Sequence, residues 1–203
     1  MFNFFFNKKK NTIQSEMKYL ITGLGNIGSE YANTRHNIGF EIVNAFAKEY
    51  SVTFEAARYG AVAECKFNGK ILILLKPSTY MNLSGKAVNY WLKKEKISED
   101  NLLIINDDLA LPFGRLRLKP NGSPAGHNGL KNIQEILGHN NFARLRFGIG
   151  NNFSQGRQMD YVLGPWLDDE TAALPERITQ AVEIIKSYLT IGTEKTMNLF
   201  NNK

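Results

Sequence analysis

Short apolar runs alternate with amphipathic stretches along the chain and predict interleaved strands and helices. Asn68-Gly69 separates two of the runs and is a strong hairpin signal, so those two strands are expected to be antiparallel. A Pro and polar residues interrupt the remaining pattern where loops are expected. The runs with strand character are 18–22, 59–67, 70–76, 101–105, 115–119 and 143–150.

Helical periodicity fills the intervals between these runs. Residues 37–50 place Ile38, Ile42, Val43 and Phe46 on one stripe, and a second helix follows Pro77. A third helix is predicted to end near Gly138, and a fourth begins with acidic residues at 168–170. Because strands and helices alternate without a repeat or linker, the pattern predicts one α/β domain with a mixed sheet over 17–203. The stripe of the fourth helix comprises Ile178, Val182, Ile185 and Leu189.

The first sixteen residues do not fit this pattern. Three Phe precede three Lys there, the reverse of the order in a signal peptide, so 1–16 is expected to be a disordered extension.

No apolar run in the chain reaches the roughly 18 residues of a membrane span. The one cysteine, Cys65, excludes an intramolecular disulfide and favours the cytoplasm. A net charge of +6 favours an anionic partner such as nucleic acid.

Two phosphate-binding motifs are possible at first inspection. Gly23, Gly25 and Gly28 give G-x-G-x-x-G after a strand, with Glu55 as a conceivable ribose-binding acid. However, the polar and aperiodic sequence SEYANTRHN follows, where a dinucleotide site needs a helix. The second motif, at 84–86, lacks both the earlier glycine and the Ser/Thr of a phosphate loop. No G-x-S-x-G occurs, and Cys65 lies in a strand pattern as a packing residue.

Histidine and carboxylate positions favour acid–base chemistry over metal chemistry. His36, His127 and His139 have no zinc-site spacing, so no metal is predicted. His36 follows the first strand, and Asp107 stands where the strand at 101–105 runs out. If the fold brings them together, they form a base and its orienting carboxylate. A histidine in a polar loop is otherwise usually only solvated.

Asparagines occupy three settings where a site could form. Asn26 lies in the glycine turn, while Asn82 and Asn128 lie at predicted helix starts. Asparagine is common in turns and helix caps, so local structure alone is enough to explain an asparagine at each of these three positions. A primary amide can also hold a carbonyl substrate or its oxyanion, because it donates and accepts without titrating.

Five segments in order resemble bacterial peptidyl-tRNA hydrolase: GLGNIGSEYANTRHNIGF, KPSTYMNLSGKAV, NDDLALPFGRLRLK, SPAGHNGLKNI and ARLRFGIG. The resemblance extends from about residue 17 to the C-terminus. It implies a monomeric, cytoplasmic, single-domain enzyme with a twisted mixed sheet flanked by helices. The implied activity is hydrolysis of the ester between a peptide and the terminal ribose of tRNA, with peptidyl-tRNA as partner, no cofactor and no obligate protein partner.

The resemblance also assigns roles to residues. The catalytic histidine falls on His36 and its partner aspartate on Asp107. The other matching positions are those for substrate positioning, Asn26, Asn82 and Asn128; those lining the peptide groove, Tyr31, Tyr80 and Met81; and those near tRNA phosphates, Arg117, Lys119 and Arg146. The chain departs from the family pattern at Ile27 in place of proline, Asn106 in place of histidine, Ala110 in place of an acid, and Ser123-Pro124 in a glycine-rich loop.

Two other functions are compatible with parts of the sequence. A tRNA-binding protein that has kept the fold without the activity would use every motif except His36 and Asp107. A nucleotide-dependent oxidoreductase would use only GLGNIG, at 23–28. Retention of the His36 and Asp107 pair favours the hydrolase.

Overall fold

One mixed β-sheet forms the centre of the protein in a computed structural model that describes residues 17–201. The predicted disordered extension at 1–16 lies outside the described residues. The sheet has seven strands in the order β2-β3-β4-β1-β5-β7-β6, and β4, β1, β5 and β7 run parallel. The edge pairings β2–β3, β3–β4 and β6–β7 are antiparallel. The strands are β1 (Met17–Gly23), β2 (Glu55–Ala57), β3 (Gly60–Phe67), β4 (Lys70–Pro77), β5 (Leu102–Asp108), β6 (Leu116–Lys119) and β7 (Ala143–Gly148).

Helices cover both faces of this sheet. α1 and α5 pack over a core that includes Ile21 and Leu74, and α2 and α3 pack over a second core that includes Leu20 and Leu75. Neighbouring strand residues enter opposite cores because successive side chains point to opposite faces. The helices are α1 (Ile38–Glu49), α2 (Ser84–Glu95), α3 (Asn128–Leu137), α4 (Gln158–Val162), α5 (Asp168–Ile191) and α6 (Thr193–Phe200), and short 3₁₀ turns span Ser29–Tyr31, Arg35–Asn37, Met81–Leu83 and Glu99–Asn101.

The α/β class, the mixed sheet and the hairpin at Asn68-Gly69 are confirmed. The helix predicted at 37–50 is α1, and the stripe expected to cover the core from 178 to 189 belongs to α5. The short elements β2, α4 and α6 were not predicted. β5 also runs further than its apolar pattern, because Asn106, Asp107 and Asp108 are its last three residues and are buried.

The structure gives the glycine turn after β1 a packing role. A Cβ on Gly23 would lie 2.1 Å from the carbonyl oxygen of Gly39, so only glycine lets β1 pack this closely on α1. A 3₁₀ turn follows Gly28, where a dinucleotide site needs an α-helix. Glu55 lies on β2, which β3 and β4 separate from β1. The oxidoreductase interpretation is therefore wrong.

No helix within residues 17–201 has the length and apolar character needed to cross a membrane.

Cys65 is buried in the core on β3, and burial raises the pKa of its thiol to about 11. A thiol held protonated in this way is a packing group, as its strand pattern predicted.

Candidate active site

A cavity of about 400 Å³ opens where β1 and β5 end. Parallel strands commonly have their ligand sites at the carboxyl edge of the sheet, so this is the expected position. Apolar and polar groups share its lining, which suits an acyl group next to reacting polar atoms. Its walls include Asn26, His36, Met81, Asp107, the loop at 124–128, Gln158 and Met159.

His36 and Asp107 meet in this cavity. His36 lies in the 3₁₀ turn before α1, and its Nδ1 is 2.8 Å from Oδ1 of Asp107 at the end of β5. The carboxylate can only accept, so Nδ1 of His36 carries the proton and donates it to this hydrogen bond. Nε2 then has a free lone pair, and within residues 17–201 it has no hydrogen-bond partner. His36 is thereby prepared to accept a proton in the cavity.

A buried arginine fixes the turn that carries His36. Arg35 is 4% exposed, and its Nη2 lies 2.7 Å from Oε2 of Glu170 on α5. Its Nη1 donates to the carbonyl oxygen of Pro165 at 2.5 Å. A charge-assisted pair this deep in the protein holds a narrow geometry, because breaking it would leave a charge buried without a partner. His36 is therefore held from both sides, by its neighbour and by Asp107.

The structure adds His127, whose role the sequence did not reveal. Nε2 of His127 is 3.0 Å from the same Oδ1 of Asp107. Its Nδ1 accepts from the backbone N–H groups of Gly129 and Leu130, at 3.1 and 3.4 Å, and caps α3. Since Nδ1 accepts, the proton of this neutral ring is on Nε2 and is donated to Asp107. The position of His127 at the start of a predicted helix was the one signal in the sequence, since helix caps are polar.

The two histidines set the electrostatics of Asp107. Burial favours its protonated form, but the electrostatic attraction and the hydrogen bonds that His36 and His127 offer to the carboxylate outweigh burial and hold the pKa of Asp107 far below its usual range. Burial would lower the pKa of His36, yet the charge and hydrogen bond of Asp107 raise it above its ordinary value. Asp107 is therefore ionised at neutral pH, and His36 is a stronger base than a free imidazole.

Asn26 is held through its backbone. The Asn26 N–H donates to Oδ1 of Asn37 at 2.7 Å, and Nδ2 of Asn37 donates to the Asn26 carbonyl at 3.0 Å. This double contact replaces the stiffness that a proline at position 27 would give, while Ile27 itself is exposed. Asn37 was not predicted as a site residue.

Asn82 and Asn128 border a hollow next to the cavity. Both line it together with residues of α3, and Asn128 also lines the main cavity. Within residues 17–201, the side-chain amides of Asn26, Asn82 and Asn128 make no hydrogen bond to the protein. By contrast, the Asn132 side chain is engaged within the protein, because its Oδ1 accepts from the Gly85 N–H at 2.9 Å. The three amides predicted from the sequence are available to a substrate.

The predicted groove residues separate into two groups. Met81 is buried and lines the cavity. Tyr31 and Tyr80 do not line it, and Tyr80 is 78% exposed at the start of the turn that carries Asn82. The loop at 124–128, which lines the cavity, is anchored at its start, because Arg144 donates to the Ser123 carbonyl at 3.1 Å.

The predicted tRNA-binding residues lie at the β6–β7 edge. Arg117 pairs with Arg146 across the two strands, and Lys119 is two residues further along β6. Side chains two apart on a strand share a face, so these cations point to the same side of the sheet. Arg146 also forms an ion pair with Asp108, the residue after Asp107. This ion pair connects the β6–β7 edge of the sheet to the cavity that Asp107 lines.

His36, Asp107 and His127 are also close enough to be considered as metal ligands, since one candidate atom from each lies within 4.8 Å of the others. The proton positions disfavour that use. Nδ1 of His36 and Nε2 of His127 both donate to one carboxylate oxygen, so neither of these two nitrogens has a lone pair for a metal. Nδ1 of His127 accepts from the α3 backbone, which leaves Nε2 of His36 as the one imidazole nitrogen of the two rings that is free within the described part of the chain. The donor set fits a hydrogen-bonded triad.

Two solved structures of peptidyl-tRNA hydrolases share this fold. The chain is similar to the crystal structure of peptidyl-tRNA hydrolase from Acinetobacter baumannii, with a TM-score of 0.85 and 38% identity over 92% of this chain and 95% of that one. A peptidyl-tRNA hydrolase in complex with n-propanol gives a TM-score of 0.86 at 38% identity, over 92% and 97% of the two chains. Fold and site define a hydrolase built on a seven-stranded mixed sheet.

Sequence comparison identifies the family within this class of hydrolases. The family model for peptidyl-tRNA hydrolase matches residues 20–203. The peptidyl-tRNA hydrolase of Porphyromonas gingivalis is 59% identical over 91% of this chain and 100% of its own length. That of Cytophaga hutchinsonii is 52% identical over 92% and 100%. The chain belongs to the peptidyl-tRNA hydrolase family, and its activity is hydrolysis of peptidyl-tRNA.

Proposed function

We propose that His36 is the general base of this hydrolysis and that Asp107 fixes its tautomer and stabilises its protonated form. The supporting observation is the 2.8 Å hydrogen bond to Asp107, which favours a proton on Nδ1 and leaves the Nε2 lone pair free on a residue that lines the cavity. General-base catalysis contributes about 10²- to 10⁴-fold. An ester is reactive enough that activated water suffices without a covalent intermediate.

The reaction then consumes one water molecule, and one proton of that water passes through His36 to the leaving oxygen. Nε2 of His36 takes a proton from water while the water oxygen attacks the ester carbonyl carbon. The bond between that carbon and the ribose oxygen breaks, and the leaving oxygen receives the proton from His36. The imidazolium present between these steps is next to the Asp107 carboxylate. His127 keeps this carboxylate ionised and oriented without itself exchanging a proton with substrate.

The free amides hold the substrate around this centre. Asn26 and Asn82 position the peptide or the water, and Asn128 holds the substrate carbonyl or its developing oxyanion. Their lack of hydrogen-bond partners among the described residues supports this role, because each side chain can offer both an N–H donor and a carbonyl acceptor. Met81 contacts the peptide within the cavity, and Tyr31 and Tyr80 contact it further out.

Arg117, Lys119 and Arg146 bind phosphates of the tRNA acceptor end. Their shared face at the sheet edge next to the cavity supports this placement. Phosphate contacts of this kind release counterions and make binding salt-dependent. The protein acts as a monomer in the cytoplasm, in one domain over 17–203, and recycles peptidyl-tRNA that leaves ribosomes early.

The test is release of N-acetyl-amino acid from an N-acetyl-aminoacyl-tRNA by the wild-type protein and by His36→Ala, in the presence of EDTA. Wild-type turnover in EDTA together with a loss of at least about 100-fold in the variant is expected. Unblocked aminoacyl-tRNA is the control substrate. Near-normal turnover by His36→Ala would remove His36 from the mechanism, and loss of wild-type turnover in EDTA would refute metal independence.

A further inference from the structure

The outward face of α2 carries a basic and aromatic stripe that the catalytic site does not use. Lys86, Tyr90, Lys93 and Lys94 recur at the i, i+4, i+7 and i+8 positions, which lie on one side of a helix. The opposite stripe of α2 is buried in the core. Core packing accounts for part of Tyr90, which is partly buried, but not for the three exposed lysines.

The turn between β2 and β3 extends this surface. Nε1 of Trp91 on α2 donates to the Arg58 carbonyl at 3.0 Å, which fastens the turn beside the helix. The rings of Tyr59 and Tyr90 meet edge to face at 5.4 Å, and the Arg58 guanidinium lies 5.1 and 5.2 Å from their centres. We call Arg58, Tyr59, Lys86, Tyr90, Lys93 and Lys94 the α2 patch.

The backbone of Tyr59 is held in an unusual conformation. Its φ of 63° lies in the left-handed region, which glycine and asparagine adopt more readily than an aromatic residue. Such a conformation costs free energy and persists where the surrounding structure enforces it. Arg58 and Tyr59 form the two-residue loop between β2 and β3, a position that favours a positive φ, and this backbone keeps the Tyr59 ring beside Tyr90.

The charges of the α2 patch are not neutralised. Within residues 17–201, Arg58, Lys86, Lys93 and Lys94 make no ion pair with an acidic side chain. Lys94 lies 4.0 Å from the centre of the Trp91 ring. Four cations next to two partly exposed aromatic rings are suited to a partner that has both negative charge and planar groups. Nucleic acid has both, because phosphates pair with Lys and Arg while bases stack on tyrosine and guanidinium groups.

The place of the α2 patch in the fold fits the substrate. It begins about one helical turn after Asn82 and extends about 12 Å along α2. It lies toward the β2–β3 edge, whereas Arg117 and Arg146 lie at the opposite edge of the sheet. We propose that the α2 patch is a second RNA-contact surface, which binds the tRNA body away from the ester. This inference rests on tRNA being the substrate and does not depend on the role of His36.

The test compares two double variants with equal charge change. Lys86→Gln/Lys93→Gln alters the α2 patch, and Lys48→Gln/Lys195→Gln removes two exposed lysines from α1 and α6. Binding of deacylated tRNA is measured from about 50 to 200 mM salt. Each lost phosphate contact lowers the salt slope by about 0.7 to 0.9, so the patch variant is expected to lose about 1.5, or about eight-fold in relative affinity across this range. The control variant keeps the wild-type slope.

A second measurement separates this inference from the catalytic proposal. Hydrolysis of an N-acetyl-aminoacyl ester of the trinucleotide CCA does not need the tRNA body, so the patch variant should cleave it at the wild-type rate. Tyr59→Asn, which suits the left-handed backbone and removes the ring, should weaken tRNA binding by about five-fold or more through lost stacking.

Three results would overturn the α2 patch as an RNA surface. The first is an unchanged salt slope in Lys86→Gln/Lys93→Gln. The second is an equal loss in Lys48→Gln/Lys195→Gln, which would show only an effect of net charge. The third is competition by poly-glutamate as strong as that by tRNA at equal charge, which would assign the surface to acidic polypeptides. A failure of His36→Ala to lose activity would leave all three readouts unaffected.

Discussion

Replacing Asp107 by Asn removes a buried negative charge while keeping an oxygen that can accept from both histidines. In the wild-type protein this charge lies within one hydrogen bond of His36, with Nδ1 and Oδ1 2.8 Å apart. The imidazolium formed during catalysis is centred roughly 4 Å from the carboxylate, and at an effective dielectric of about 20 the attraction is about 4 kcal/mol. If half to all of this charge has developed in the transition state, Asp107→Asn lowers kcat by about 30- to 1,000-fold.

The same substitution changes the pH profile in a defined direction. His36 must be neutral to act as a base, so wild-type activity rises with pH through its pKa, which Asp107 raises above the ordinary value. Without the carboxylate, burial remains and lowers the pKa. The acid limb of kcat/KM for N-acetyl-aminoacyl-tRNA is therefore expected to move to lower pH in Asp107→Asn.

Asp108→Asn is the matched control, because its carboxylate pairs with Arg146 rather than with a histidine. Its acid limb is expected to stay at the wild-type pH, whatever happens to tRNA affinity. An acid limb of Asp107→Asn that stays in place or moves to higher pH would refute the electrostatic coupling between Asp107 and His36.

The supporting contacts give two further predictions. His127→Asn can still cap α3 but cannot reach Asp107, so kcat should fall about ten-fold or more while the melting temperature changes little; an unchanged kcat would contradict the role of His127. Asn37→Ala should lower the free energy of unfolding in urea by about 1 to 3 kcal/mol, because both hydrogen bonds to the Asn26 backbone are lost. Asn37→Asp, which keeps one of these bonds, should be intermediate, and equal urea midpoints would argue against the clamp.

The fold was predictable where periodicity is strong. The hairpin at Asn68-Gly69 and the amphipathic helix at 37–50 follow from local pattern, and both are present. β2 has three residues, all exposed, and α4 has five, so neither has enough periodicity to be recognised. The polar end of β5 was not predicted to be buried strand because its partners come from distant segments.

The site was predictable only in part for the same reason. His36 and Asp107 are 71 positions apart, and no spacing rule shows that their side chains meet. The residues alone offered that pairing and Asn26, Asn82 and Asn128 as candidates, and their expected roles came from the resemblance to a family. It did not supply His127 or Asn37, because their importance lies in hydrogen bonds to other site residues rather than in a motif of their own.

The proton positions on the histidines can be observed directly. The protein has three histidines, so ¹⁵N-labelled histidine gives a simple spectrum in which tautomers are distinguished by the nitrogen that carries hydrogen. At neutral pH we expect hydrogen on Nδ1 of the neutral form of His36 and on Nε2 of His127, with His36 titrating above its ordinary pKa of about 6.5. A neutral His36 with hydrogen on Nε2, or one that titrates below that value, would contradict its assignment as the general base.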